Sequence, residues 1–153
     1  MALPEGGNIA WPPNEWQTIY DKAGETLAGH DGGEIGRSAC FTKASAAFKL
    51  GKVDESITLY EEAIAGARGE SLDFARVGLA SSLAAKGEHD KVLATYDELA
   101  KSENYAAFAK YEKARLLQRA GKSEDAKTLY HEILESHPMT TFRDDIERRL
   151  AML

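Results

Sequence analysis

Chemistry-bearing residues are few in this chain, and their spacing is poor. Cys40 is the one cysteine of the 153 residues, so it forms no intrachain disulfide and no CxxC metal or redox pair. As a nucleophile it would need a nearby base and a lowered thiol pKa. Its flanks, Ala39, Phe41 and Ala44, read instead as a helix in which cysteine is a small buried hydrophobe. His30, His89, His131 and His137 make no HExxH or HxH pattern. His131 and Glu135 lie one helical turn apart, as half a metal site would, but with no third ligand a solvated face accounts for them. Gly121-Lys122-Ser123 matches the end of a phosphate-binding loop, yet Leu116 stands where that motif needs its first glycine. Gly29 to Gly36 is rich enough in glycine to wrap a phosphate or a metal. With no strand before it, it reads as a flexible joint. Glu61-Glu62 and Asp144-Asp145 are neighbours in sequence, and neighbours on a helix do not face each other. A small enzyme using Cys40 or His131 is the reading from another class. The reading adopted has no catalytic residue, no cofactor and no metal.

The elements that position these residues come from a repeat. Gly51, Gly87 and Gly121 are 36 and 34 residues apart, and Tyr60, Tyr96 and Tyr130 keep the same spacing. Seven residues before each glycine stands Ala44, Ala80 or Ala114, and five further back Ala39, Ala75 or Ala109. Five residues after it stands Ser56, Val92 or Ala126. Each unit therefore reads as two helices joined at a glycine, which takes the left-handed conformation that ends a helix at least cost. Acidic residues Asp54, Asp90 and Glu124, the last after a Ser123 cap, start the second helix. Two helices of a hairpin cross closely only where side chains are small, which gives the alanine columns their place. The tyrosine fills the adjoining space and leaves its hydroxyl for a partner. One hairpin cannot bury both faces, so units stack and the ends need caps. Asn14 to Leu27 supplies one cap, with Trp16, Tyr20, Ala23 and Leu27 on one stripe. Thr141 to Leu153 supplies the other, with Phe142, Ile146, Leu150 and Leu153 inside and Asp144, Arg148 and Arg149 outside.

Small, glycine and aromatic residues at a 34-residue period, over Ser38 to Pro138, resemble the tetratricopeptide repeat. Departures are Cys40, Arg76 and Lys110 where the family has a large aromatic, and Ala47, Leu83 and Leu117 where it has a tyrosine. These mark a divergent array. Gly78-Leu79-Ala80, Gly87, Leu93-Ala94-Thr95-Tyr96 and the ending Asp144 to Leu153 are also similar to bacterial envelope tetratricopeptide-like domains of the ancillary translocon subunit type. The resemblance implies an all-α, right-handed solenoid. Its expected parts are an N-terminal segment with a capping helix (1–33), three repeats (34–139, at about 37–70, 71–104 and 105–139) and a C-terminal capping helix (140–153).

The resemblance also implies a protein-interaction scaffold whose first helices line a groove for a peptide or helix. Phe41, Phe48, Phe74, Phe108, Tyr111, Arg115, Gln118 and Arg119 map onto that groove, together with Ser45, Val77 and Ser81. Aromatics and arginines are the types enriched at binding hot spots. Packing of the phenylalanines against neighbouring helices is the competing account, and the sequence leaves both open. The clamp that family members use for the C-terminal carboxylate of heat-shock chaperones is not expected. Its positions hold Phe41, Ser45, Gly78, Phe108 and Glu112.

Composition fits this reading. Hydrophobic residues are 43% and charged residues 29%, a globular balance. A net charge of −6 lacks the footprint of a general nucleic-acid binder. Met1 to Pro13 has no secretory pattern, and no run approaches a membrane span. The expected setting is cytoplasmic, or the cell envelope if the chain continues upstream into an anchor, in which case it assists secretion or chaperoning. The partner is a protein or peptide, and self-association is open.

Overall fold

The computed structural model describes residues 12–30 and 32–153. Among them the chain forms eight α-helices and no strand. They are α1 (Pro13–Gly29), α2 (Gly33–Lys49), α3 (Val53–Ile64), α4 (Glu70–Lys86), α5 (His89–Leu99), α6 (Ala106–Arg119), α7 (Ser123–Ser136) and α8 (Arg143–Met152). They fall into two compact units, one ending at Gly66 and the other beginning at Ala67.

One hairpin turn recurs three times with the same closing backbone hydrogen bonds. Gly51, Gly87 and Gly121 have φ of 76°, 83° and 76°. After each comes a residue near φ −80°, ψ 60°: Lys52, Glu88 and Lys122. The N–H of that residue donates to the carbonyl five positions back, Lys52 to Ala47, Glu88 to Leu83 and Lys122 to Leu117, at 2.9, 3.0 and 2.9 Å. Each glycine N–H donates three positions back, which completes a Schellman closure. Lys122, and not Ser123, occupies the cap of α7, and no side-chain cap bond forms there. The backbone of the closure already satisfies the helix end, so the serine enters the first turn.

The small-residue columns are core. Ala44, Ala80 and Ala114 are fully buried, and so are Ser56, Val92 and Ala126. Cys40, Arg76 and Lys110, which replace a large aromatic, face acids of the same hairpin. Arg76 pairs with Glu98 at 3.6 Å and Lys110 with Glu132 at 3.1 Å, each acid 22 residues after its partner, and Cys40 Sγ lies 3.8 Å from Glu62 at the same spacing.

In the N-terminal unit, Pro13 opens α1 and Ala23 is its buried residue. Tyr20 carries the docking of α1. Its ring lies under Lys52 Nζ at 3.8 Å and Lys43 Nζ at 4.9 Å, and its hydroxyl donates to Glu55. The Glu55 carboxylate beside it holds the phenol up at about 12. The glycine-rich stretch is no slack joint. α2 begins at Gly33, and Gly36 is buried so close to His30 that a Cβ there would come within 2.5 Å of the His30 carbonyl oxygen. Only glycine permits that approach.

In the C-terminal unit, Tyr111, Ala114, Leu117, Ala126, Tyr130, Ile133 and Ile146 form the core of α6, α7 and α8. Arg149, expected on the outside of α8, turns inward. It donates to the Asp145 carboxylate and to Gln118 Oε1.

Candidate functional site

The proposed groove residues divide between the two units. In the first, Phe41 and Phe48 are half-buried on α2, and Phe41 meets Tyr60 edge-on at 5.7 Å. Ser45 shares a hydrogen bond of 2.8 Å with the Tyr60 hydroxyl. Phe41 and Ser45 thus serve the α2–α3 hairpin.

The second unit holds a run of rings. Phe74 on α4 is half exposed, at 50%, and meets Tyr105 edge-on at 6.0 Å. Tyr105 meets Phe108 at 6.3 Å, and Phe108 meets Tyr96 at 6.5 Å and Phe142 at 6.4 Å. Phe142 then stacks on Tyr111, which meets Tyr130 at 6.4 Å. Rings in these offset and edge-on arrangements hold one another beyond the area they bury. The connection bearing Tyr105 is fixed from below. Asp73, next to Phe74 and buried, accepts a hydrogen bond of 2.6 Å from the Ser102 hydroxyl, and the Tyr105 N–H donates to the Ser102 carbonyl.

Of the residues mapped from sequence, Tyr111 lies in the core at 7% exposure under α8, its hydroxyl donating to Asp145. Gln118 is engaged as well. Its Oε1 accepts from Tyr130 at 3.1 Å and from Arg149 at 3.2 Å. Burial, first, and the hydrogen bond to Asp145 raise the Tyr111 phenol. The Tyr111 and Arg149 hydrogen bonds hold the Asp145 carboxyl below its usual range. Phe74, Phe108, Arg115 and Arg119 remain on the accessible side of α4 and α6. Arg115 donates to Glu112 at 2.8 Å and sits over the Tyr111 ring, while its Nε is buried with no acceptor. Arg119 is exposed at the end of α6. Tyr105 is not among the residues mapped from sequence, and Phe142 is placed there on the inner stripe of the C-terminal cap and not in the groove. The signal for Phe142 was there: Phe74, Phe108 and Phe142 are 34 residues apart, so the column runs past the third hairpin.

Charge sorts by helix. Lys110, Lys113, Arg115 and Arg119 stand against Glu112 alone on α6, and Arg37, Lys43 and Lys49 against Glu34 on α2. α4 balances. The second helices are acidic: α3 carries four acids and no base, and α5 and α7 each carry one lysine against three and four acids. Net −6 thus conceals first helices that are neutral or positive.

Cys40 is buried, and its thiol donates to the Leu59 carbonyl at 3.1 Å. Desolvation, with the Glu62 charge behind it, pushes the thiol up to about 11, the opposite of what a nucleophile needs. Among the described residues no three His, Cys, Asp or Glu side chains are grouped to hold a metal, and no helix is long and apolar enough to cross a membrane.

The family profile described as a tetratricopeptide repeat-like domain matches residues 11–153. No curated protein matches the chain. Among solved structures, it is similar to the nearly identical tetratricopeptide-like repeats of a Podosopora anserina protein assigned as a kinesin light chain. The TM-score is 0.67 at 15% identity, covering 92% of this chain and 85% of that one. A single-substitution variant of the same protein gives 0.66 at 14% identity, with the same coverage. Likeness at this identity establishes the fold.

Proposed function

Because the chain belongs to the tetratricopeptide repeat-like domain family, whose fold generally mediates protein–protein interaction, we propose that it is a binding scaffold. It holds a peptide or helix of a partner protein against the α4–α6 side of its C-terminal unit. The observation that carries this reading is Phe74, a large apolar ring left half exposed at the edge of an otherwise packed aromatic run. An exposed apolar ring on a side that also carries accessible arginines has the composition of a hot spot. Tyr111, already engaged beneath α8, supports the site from within and does not touch the partner.

Photo-crosslinking from position 74 in source cells tests the reading. Adducts to a defined protein, lost when Phe108 is replaced by alanine, support it. Absence of adducts from position 74, with adducts forming from a probe on α5 or α7, would place binding on the second helices.

A further inference from the structure

Resting on that reading, we infer that the occupant of the α4–α6 face is an acidic amphipathic helix. It would lay its aromatic or aliphatic side on Phe74, Tyr105 and Phe108 and its carboxylates on Arg115 and Arg119.

Three observations converge on this chemistry. The first is the charge pattern. Within an acidic chain α6 is the most positive helix; its Lys110 and Lys113 pair with Glu132 and Asp97 of the second helices, while Arg115 and Arg119 follow Phe108 by seven and eleven residues, two and three turns along one face. An approaching acidic segment is drawn to this side and repelled by the acidic second helices α5 and α7. The second is the Arg115 side chain. Glu112 takes one of its terminal nitrogens and leaves Nε without an acceptor, and a buried donor in that state favours any conformation that brings it a carboxylate. Arginine receives a carboxylate through two parallel N–H donors, and the Arg115 side chain, with one terminal nitrogen on Glu112, is 30% exposed.

The third is α8. The backbone of α8 packs on α7, and its side chains, with Phe142 just before it, reach α6. Phe142 covers the Tyr111 ring, and Asp145, three residues on, accepts the hydroxyl of the same tyrosine and the guanidinium of Arg149. An aromatic followed at one turn by a carboxylate is thus a pattern that α6 accepts within this chain. Phe108, which touches Phe142 on one side and Tyr105 on the other, continues that surface toward Phe74.

Two synthetic helices test the assignment on the full chain. One, of about sixteen residues, carries phenylalanine and leucine at i, i+3 and i+4 with glutamate elsewhere. The other has lysine at every glutamate. Fluorescence anisotropy is expected to show the glutamate helix binding and weakening with added salt, and the lysine helix binding about tenfold more weakly or not at all. Phe74→Ala and Arg119→Glu each weaken the glutamate helix by about tenfold. Both positions are exposed, so unchanged circular dichroism is expected for both variants, with unchanged melting for Arg119→Glu and a slightly lower melting point for Phe74→Ala from the lost Tyr105 contact. Equal binding of the two helices, lost in Phe74→Ala, overturns the acidic preference and leaves the docking face standing. Binding of neither helix overturns the preference and counts against the face itself. Binding of the glutamate helix that Phe74→Ala and Arg119→Glu leave unchanged overturns the assignment of the site.

Discussion

Tyr111 and Phe142 lie face to face, their ring centroids 4.4 Å apart and their planes 11° from parallel. This stack decides what the third hairpin exposes. It turns a position on the groove side of the first helix into core and makes α8 part of the fold. Truncating Phe142 to alanine removes the covering ring and leaves Tyr111 half uncovered. A loss of about 2 to 4 kcal/mol is expected from the lost burial and cavity together, read as a lower denaturant midpoint. Tyr111→Phe keeps the stack and removes only the hydroxyl bond to Asp145, for about 1 kcal/mol. A Phe142→Ala variant as stable as the parent would show that α8 does not depend on the stack.

Asp145 gives the same contact a pH dependence. Its carboxylate accepts from Tyr111, Arg149 and Arg148, and the first two hydrogen bonds hold its pKa below the usual value in the folded state. A carboxyl lowered on folding stabilises fully above its unfolded value, near pH 4, and the contribution is lost as pH falls through the lower folded value. Acid unfolding followed by circular dichroism should therefore shift to higher pH in Arg149→Gln, which removes one of the partners. In Asp145→Asn, stability near neutral pH should fall, and its pH dependence below pH 4 should flatten. An acid transition that neither change alters would place the titrating group elsewhere.

The crossing alanines set the spacing of the hairpins. Ala80 on α4 and Val92 on α5 are both fully buried, and the two helices pack as a hairpin. Ala80→Leu should overpack this crossing and lower stability by about 1 to 3 kcal/mol. Ala84→Leu, four residues on and exposed, is the control and should change melting little. Equal melting temperatures for the two variants would mean that the hairpin accommodates bulk at the crossing.

The hairpins were legible in the sequence because their requirements are local and repeated. A glycine with positive φ, a small residue seven positions before it and another five after are demands of a single turn and a single crossing. They leave the same mark at 51, 87 and 121. The caps were legible as stripes for the same reason. Three features were not. Arg149 has the composition of an outer face, and it turns inward because Gln118 and Asp145, from α6 and its own helix, offer acceptors together. Gly36 looked like slack, and the close approach of the His30 carbonyl that requires it depends on how α1 returns. Tyr111 has the residue type of a hot spot, and its burial follows from a phenylalanine 31 positions away in sequence. Periodicity reports what one hairpin needs. It does not report which side chains a neighbouring helix covers.

The buried thiol supplies the last test. Cys40 combines burial, a hydrogen bond to the Leu59 carbonyl and a pKa pushed up to about 11 by desolvation. Its thiolate fraction at pH 8 is then about a thousandth, against about a quarter for an unperturbed cysteine near 8.5. Reaction with a disulfide reagent at pH 8 should be slower in the native chain than in the urea-unfolded chain by about a hundredfold or more, since burial adds to the pKa effect. The thiol is protonated in both states up to pH 7, so Cys40→Ala should give a stability loss that stays constant from pH 6 to pH 7. As pH rises toward 9, the unfolded chain ionises its thiol while the folded chain does not, and the parent should lose stability that Cys40→Ala keeps. Native labelling as fast as unfolded labelling would show an open, activated thiol and revive a chemical role for this residue.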